Sequence, residues 1–274
     1  MKNKSKLMTK LFVGFVILVV LLIVIILFLI SSLNKSKNKE IIKVQKITKK
    51  YGLDGIENLS FDFRNINVKF YLTKKDELII KQSGKVNKML LDINNSNKKI
   101  TIKENAKNIF VKINYKIYLP ENYSNNIKIT NAFGNLKIDS LYGNAIIDNN
   151  AGSINITNID NLNLTNTSGL ITIKNIKNRI DVTSSTGDIT INKLTGSANI
   201  ETITGDIKID KFYVLGETNV ESTSGDIDLK LTKISSCKLK INNESGNNDI
   251  SNKVCQNGVN KIYVKNVTGK INIK

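Results

Sequence analysis

"SSTGDITI" occupies residues 184–191, "TITGDIKI" follows at 202–209 and "STSGDIDL" at 222–229. Each copy sets hydroxyl residues before a glycine, an aspartate after it, and then two apolar residues separated by one. The glycine belongs to a longer register: Gly134, Gly152, Gly169, Gly187, Gly205, Gly225, Gly246 and Gly269, spaced by 18, 17, 18, 18, 20, 21 and 23 residues. Two positions after the glycine stand Leu136, Ile154, Ile171, Ile189, Ile207, Ile227 and Ile271, with Asn248 the one break. Four positions after it stand Ile138, Ile156, Ile173, Ile191, Ile209, Leu229, Ile250 and Ile273. Five before it is a third column, Ile129, Ile147, Leu164, Val182, Ile200, Val220, Ile241 and Val264. Seven before it is a fourth, mostly apolar, running from Ile127 through Ala145 and Leu162 to Ile262.

Each unit thus reads apolar-x-apolar, a glycine turn, then apolar-x-apolar again. An apolar period of two marks a strand with one buried face. Two such short strands bury little alone, whereas stacked copies bury their columns continuously. The glycine supplies a positive φ at the corner, and the neighbouring Ser, Thr and Asp bond the turn backbone. The motif returns because the corner returns. These residues predict an all-β fold, a β-solenoid of short repeated coils over residues 127–274. Stacked at ~4.8 Å per strand, its coils would rise roughly 38 Å. An antiparallel meander or sandwich also uses turn glycines, so the period alone leaves the direction of pairing open. Residues 51–126 alternate apolar and polar without the glycine register. They are expected to form irregular β coils that cap the stack.

The chain of 274 residues has no His, one Pro and a formal net charge of +18. Lacking His, it lacks the usual general base and the commonest metal ligand. Its basic residues are nearly all Lys, and Lys and Asn abound throughout, so single occurrences carry little signal. Residues 11–30, "LFVGFVILVVLLIVIILFLI", are apolar without a break. Twenty helical residues span roughly 30 Å, the thickness of a bilayer's hydrocarbon core. The run is longer than a signal-peptide core and is followed by no small-residue cleavage pattern. It predicts one transmembrane α-helix, an uncleaved anchor after a cytoplasmic N-terminus at residues 1–10. Residues 31–50 read as a basic linker. The first fifty residues hold eleven Lys and one Glu, so most of the net charge lies there. Such a cluster suits anionic lipid or anionic wall polymers. It has no interleaved aromatics, so nucleic acid is not an expected partner.

Beyond the periodicity, the strand-loop-strand entry "INVKFYLTKKDELIIKQ", the "YKIYLPEN" before the first repeat, and the "TGDITI" and "SGDIDL" corners carry a resemblance. From about residue 54 onward the chain resembles the adhesin-like β-strand-repeat family of bacteria, an envelope domain of unknown function. The resemblance implies a right-handed, β-helix-like solenoid outside a Gram-positive cell membrane. It implies no catalytic residues and no cofactor. The corners at Gly246 and Gly269, "SGNNDI" and "TGKINI", depart from the pattern.

Asp188, Asp206 and Asp226 each follow a repeat glycine and would form a column. Clustered carboxylates are calcium ligands in principle. The spacing lacks the nonapeptide pattern of calcium-binding β-rolls, and turn-capping carboxylates account for it. A glycan-cleaving solenoid would need carboxylates converging in a cleft, and no long loop interrupts these repeats. Cys237 and Cys255 are the only cysteines. A metal site would need more ligands, and a disulfide is the reading for an exported domain. The resulting expectation is a single-pass envelope protein whose extracytoplasmic repeats form a non-catalytic, adhesin-like binding or scaffolding surface. The alternatives are an accessory regulator of a membrane envelope-stress sensor protein and a glycan-active β-helix enzyme.

Overall fold

The computed structural model describes residues 22–27, 44–65, 67–86, 88–105, 113–232, 237–251 and 258–274. The chain divides into two units, Met1–Lys43 and Val44–Lys274. In the first, residues 22–27 are helical and their side chains exposed. The remainder of the apolar run, and the segments on either side of it up to Lys43, lie outside the described residues. No helix among the described residues is long and apolar enough to cross a membrane.

In the second unit the strands come in the order β1 (Gln45–Gly52), β2 (Asn58–Asn65), β3 (Asn67–Thr73), β4 (Glu77–Gly84), β5 (Leu91–Ser96), β6 (Lys99–Glu104), β7 (Asn114–Pro120) and β8 (Asn126–Phe133). The repeats continue with β9 (Leu136–Ala151), β10 (Ile154–Ser168), β11 (Ile171–Thr186), β12 (Ile189–Thr204), β13 (Ile207–Val214), β14 (Thr218–Ser224) and β15 (Ile227–Leu231). The chain ends with β16 (Cys237–Ser245), β17 (Asn248–Ile250), β18 (Asn260–Thr268) and β19 (Ile271–Ile273).

The long strands β9 to β12 pair parallel, each with the next. Leu136 meets Ile154, then Ile171, then Ile189, and Ile147 meets Leu164, then Val182, then Ile200. This register decides for a solenoid against an antiparallel meander. Each long strand turns a second corner near its middle, where the β9–β10 and β10–β11 ladders shift register between Ile159 and Asn161. Gly143 and Gly196 sit at this corner with φ of 80° and 139°.

The halves after the repeat glycine build one ladder, in the order β1-β4-β7-β3-β9-β10-β11-β12-β13-β15-β19-β17. The halves before it build the other, in the order β5-β6-β2-β8-β9-β10-β11-β12-β14-β18-β16. All four apolar columns point between the ladders and share one core as far as the Gly246 coil, where Leu239 and Ile241 are only partly buried and Ile250 is exposed. A fifth column, seven residues after each glycine, joins them: Leu141, Ile159, Ile176, Leu194 and Phe212 are all buried. At the N-terminal end the core is wider and aromatic. Phe61 meets Phe70 edge-on at 5.1 Å between ring centroids and Phe63 at 6.0 Å. Such pairs add to the area their rings bury. Behind them the Tyr115 hydroxyl donates to Gln82 Oε1 at 3.0 Å, and Gln82 Oε1 also accepts the Leu90 amide. Burial, with the Glu104 charge adding to it, pushes the Tyr115 phenol up, so it stays protonated as a donor.

One expectation is corrected. The segment read as linker ends early: β1 starts at Gln45 and pairs antiparallel with β4. Its lysines hid it, because an edge strand needs few apolar residues and charge there discourages edge-to-edge pairing. The coils do not stack in chain order. The last strands, β18 and β19, pair with β14 and β15 on one side and with β16 and β17 on the other. The chain end therefore lies inside the stack, and among the described residues the Gly246 coil is its outermost layer. Asn248 interrupts an apolar column at a position that is exposed. The N-terminal end shows the same arrangement, with β2 and β3 lying between β6 and β7 on one side and β8 and β9 on the other.

Candidate binding surface

The repeat corner is a column of glycines in the order 134, 152, 169, 187, 205, 225, 269, 246. Gly187 has φ of 120° and Gly205 of 139°, a region that L side chains avoid. A Cβ on Gly187 would run into the Gly169 carbonyl, and one on Gly205 into the Gly187 carbonyl. Backbone contact from coil to coil, as much as the turn itself, demands glycine here.

The aspartates after these glycines serve the next coil. Asp188 Oδ1 accepts the Asp206 amide at 3.0 Å, Asp206 Oδ1 accepts the Asp226 amide at 2.7 Å, and Asp226 Oδ1 accepts the Lys270 amide at 2.7 Å. Asn67 and Asn135 do the same for the coils at the other end. Each carboxylate thus satisfies an amide that the corner leaves outside the ladder. Among the described residues no three His, Cys, Asp or Glu gather where they could hold one metal ion.

Sequence reasoning missed the position three before each glycine. Asn131, Asn149, Asn166, Ser184, Thr202, Ser222 and Asn266 are all polar and all buried, and Asn243 in the Gly246 coil is polar and half-buried. Asn131 Nδ2 donates to Asn149 Oδ1 at 2.8 Å, Asn149 Nδ2 to Asn166 Oδ1 at 2.7 Å, and Asn166 Nδ2 to Ser184 Oγ at 3.1 Å. Each of these Asn Nδ2 groups also reaches the carbonyl of its own corner glycine. The signal was present as an invariably polar column. The general abundance of Asn masked it.

Cys237 is buried and disulfide-bonded; Cys255 lies outside the described residues. Two carboxylates, Glu201 and Glu221, are paired neighbours in register on β12 and β14. Asn199 and Asn219 donate to them, and Lys265 lies 3.9 Å from Glu221. Both leave the same sheet face, so they do not oppose each other across a substrate bond as glycan hydrolysis requires.

On the outer surface of the β2-β8 ladder, cations and carboxylates alternate. Lys128 pairs with Asp148 at 2.9 Å, Lys103 with Asp62 at 3.6 Å and Arg179 with Asp181 at 2.8 Å. The other ladder has pairs near its C-terminal end, where Asp210 receives Lys208 at 3.6 Å and Lys230 at 3.2 Å. Near its N-terminal end, Lys69, Lys81, Lys116 and Lys137 are exposed and enter none of the ion pairs among the described residues.

The model of the family described as Toastrack DUF4097 matches residues 56–274. A "putative adhesin" from Bacteroides fragilis is similar in structure, with TM-score 0.55 and 14% identity over 84% of this chain and 97% of that one. Another "putative adhesin", from Parabacteroides distasonis, has TM-score 0.50 and 15% identity, again over 84% and 97%. At these identities the likeness is one of fold. No curated protein matches the chain.

Proposed function

The chain belongs to the Toastrack DUF4097 family, and from that premise we propose that it is a membrane-anchored, extracytoplasmic β-repeat protein whose solenoid is a non-catalytic binding or scaffolding surface at the cell envelope. The observation that carries this reading is how the polar groups of the repeats are used. The corner carboxylates cap amides of the next coil, and the buried amide column ties coil to coil. The repeated chemistry builds two broad outer faces, and a solenoid presents such faces to extended partners. The adhesin-like description of two structural neighbours agrees with it. The apolar run at 11–30 supplies the anchor and the lysines around it favour anionic lipid headgroups.

Co-sedimentation tests this reading. The full chain in neutral detergent is mixed with washed envelope fragments of the cells that produce it. Retention without release of soluble sugars or peptides is expected. Release that grows with time and protein amount would replace the binding surface with an enzyme.

A further inference from the structure

We propose that the outer face of β4, β7, β3 and β9 binds a linear, phosphate-bearing polyanion through a single file of four lysines. The proposal rests on the binding-surface reading above and names its ligand class. Lys81 stands directly opposite Lys116, Lys116 opposite Lys69, and Lys69 opposite Lys137. Paired residues in register project from the same face of a sheet, and all four lysines are exposed. The file therefore crosses four neighbouring strands along the solenoid axis, with one ammonium group per strand and a spacing of about 4.8 Å.

Like charges directly opposite one another on a sheet are destabilising. Elsewhere on this protein many lysines are relieved by carboxylates, as at Lys128 and Asp148 or Lys230 and Asp210, and the directly opposed Lys238 and Lys261 form a pair rather than a file. A chain rich in Lys does not by itself produce the file. The same row continues through the next three coils as Asn155, Thr172 and Thr190. The bordering acids are Glu77, which is occupied by Lys50 at 3.1 Å, and Asp139, two residues beyond Lys137 on β9. An anion from outside would remove the repulsion that the fold leaves in place.

The rows beside the file indicate the form of that anion. On one side lie Ser83, Asn114 and Asn67, paired across β4, β7 and β3. On the other side Tyr118 and Tyr71 stack with ring centroids 5.3 Å apart, and Lys81 Nζ stands 4.7 Å from the Tyr118 centroid. A concavity of about 340 Å³ between β1 and β7 is lined by Lys46, Thr48, Lys81, Lys116 and Tyr118 at the start of the file. Charge concentrated in one row, joined by Lys46 opposite Ser83 at the β1 end and bordered by amides and aromatic rings, matches a thread of phosphates rather than the plane of a bilayer. Lysine ammoniums are point charges that need no bidentate geometry, so they tolerate a flexible polymer.

The test titrates the full chain, in neutral detergent, with long-chain inorganic polyphosphate at several salt concentrations. One variant carries K69Q, K81Q, K116Q and K137Q; a control carries four glutamines at Lys35, Lys37, Lys39 and Lys43. The file variant is expected to lose about tenfold or more in affinity. Its slope of log affinity against log salt should shrink by about 3, because four fewer phosphates shed counterions. Removing repulsion should leave its melting temperature equal or higher, so lost binding cannot be assigned to unfolding. Single K69Q and K116Q variants should each give a partial loss. Unchanged affinity in the file variant, with the loss confined to the linker control, overturns the proposal. Binding that depends on the file for phosphatidylglycerol vesicles but not for polyphosphate overturns it too. Retention on envelope fragments that survives the file variant removes this site while leaving the broader surface reading intact.

Discussion

Replacing Gly187 by alanine is expected to destabilise the solenoid at its centre. Two effects combine. A φ of 120° is outside the regions an alanine adopts comfortably, and strain of this kind costs about 1–3 kcal/mol. The new methyl also meets the Gly169 carbonyl, a backbone group held by the ladder of the coil before it. Overpacking against a fixed neighbour costs about 1–3 kcal/mol more. Together these give about 2–6 kcal/mol, which at about 2–4 °C per kcal/mol lowers the melting temperature by about 10 °C. The assay is thermal unfolding followed by far-ultraviolet circular dichroism, with Gly52→Ala as the control. Gly52 has open space where its Cβ would be and no positive φ, so its variant should melt within about 2 °C of the parent. Equal melting of G187A and the parent would refute the claim that backbone contact at the corner demands glycine.

Three further outcomes are expected. Asn149→Ala removes a buried amide that bonds Asn131, Asn166 and the Gly152 carbonyl; it should cost about 2–4 kcal/mol in denaturant unfolding, and a change within about 0.5 kcal/mol, as at an exposed site, would contradict the ladder. Asp206→Ala should cost about 1 kcal/mol through the lost cap on Asp226, while a calcium chelator should leave the parent's melting unchanged; a large loss on chelation would make the Asp188, Asp206 and Asp226 column a metal site. Thiol labelling of denatured, unreduced protein from the cell surface should find neither Cys237 nor Cys255 reactive, since Cys237 is disulfide-bonded and a bridge between them would stabilise by about 3 kcal/mol; two reactive thiols would contradict the bridge and make the Gly246 coil the first to fray.

What could be read from the residues, and what could not, follows from the range of the interactions. The columns at Leu136, Ile138, Ile129 and their repeats were legible because each records a local period of two within one turn of chain. The corner glycines were legible for the same reason. Stacking order was not, since it depends on which coil pairs with which. Gly246 follows Gly225 by 21 residues and resembles one more repeat, yet the partner of Gly225 is Gly269, 44 residues away. Nothing local to "SGNNDI" announces an outermost coil except its polarity, and that was read as a departure. The lysine file was hidden likewise, because Lys69, Lys81, Lys116 and Lys137 come from four strands and meet only through β-pairing of antiparallel and parallel kinds. Within each strand they are merely the polar residues of an alternating pattern. The sequence places Asp188, Asp206 and Asp226 as caps of their own turns, whereas their hydrogen bonds go to the following coil.

The proposed function requires that residues 44–274 stand outside the cell, held by the apolar run at 11–30. Protease is added to intact protoplasts of the producing cells, and the chain is followed with an antibody to its C-terminus and a tag at its N-terminus. The expected result is that the solenoid signal is lost or shortened while the tag stays protected with a membrane-bound fragment. A solenoid that survives until the membrane is broken, while an extracytoplasmic control protein is digested, would contradict it.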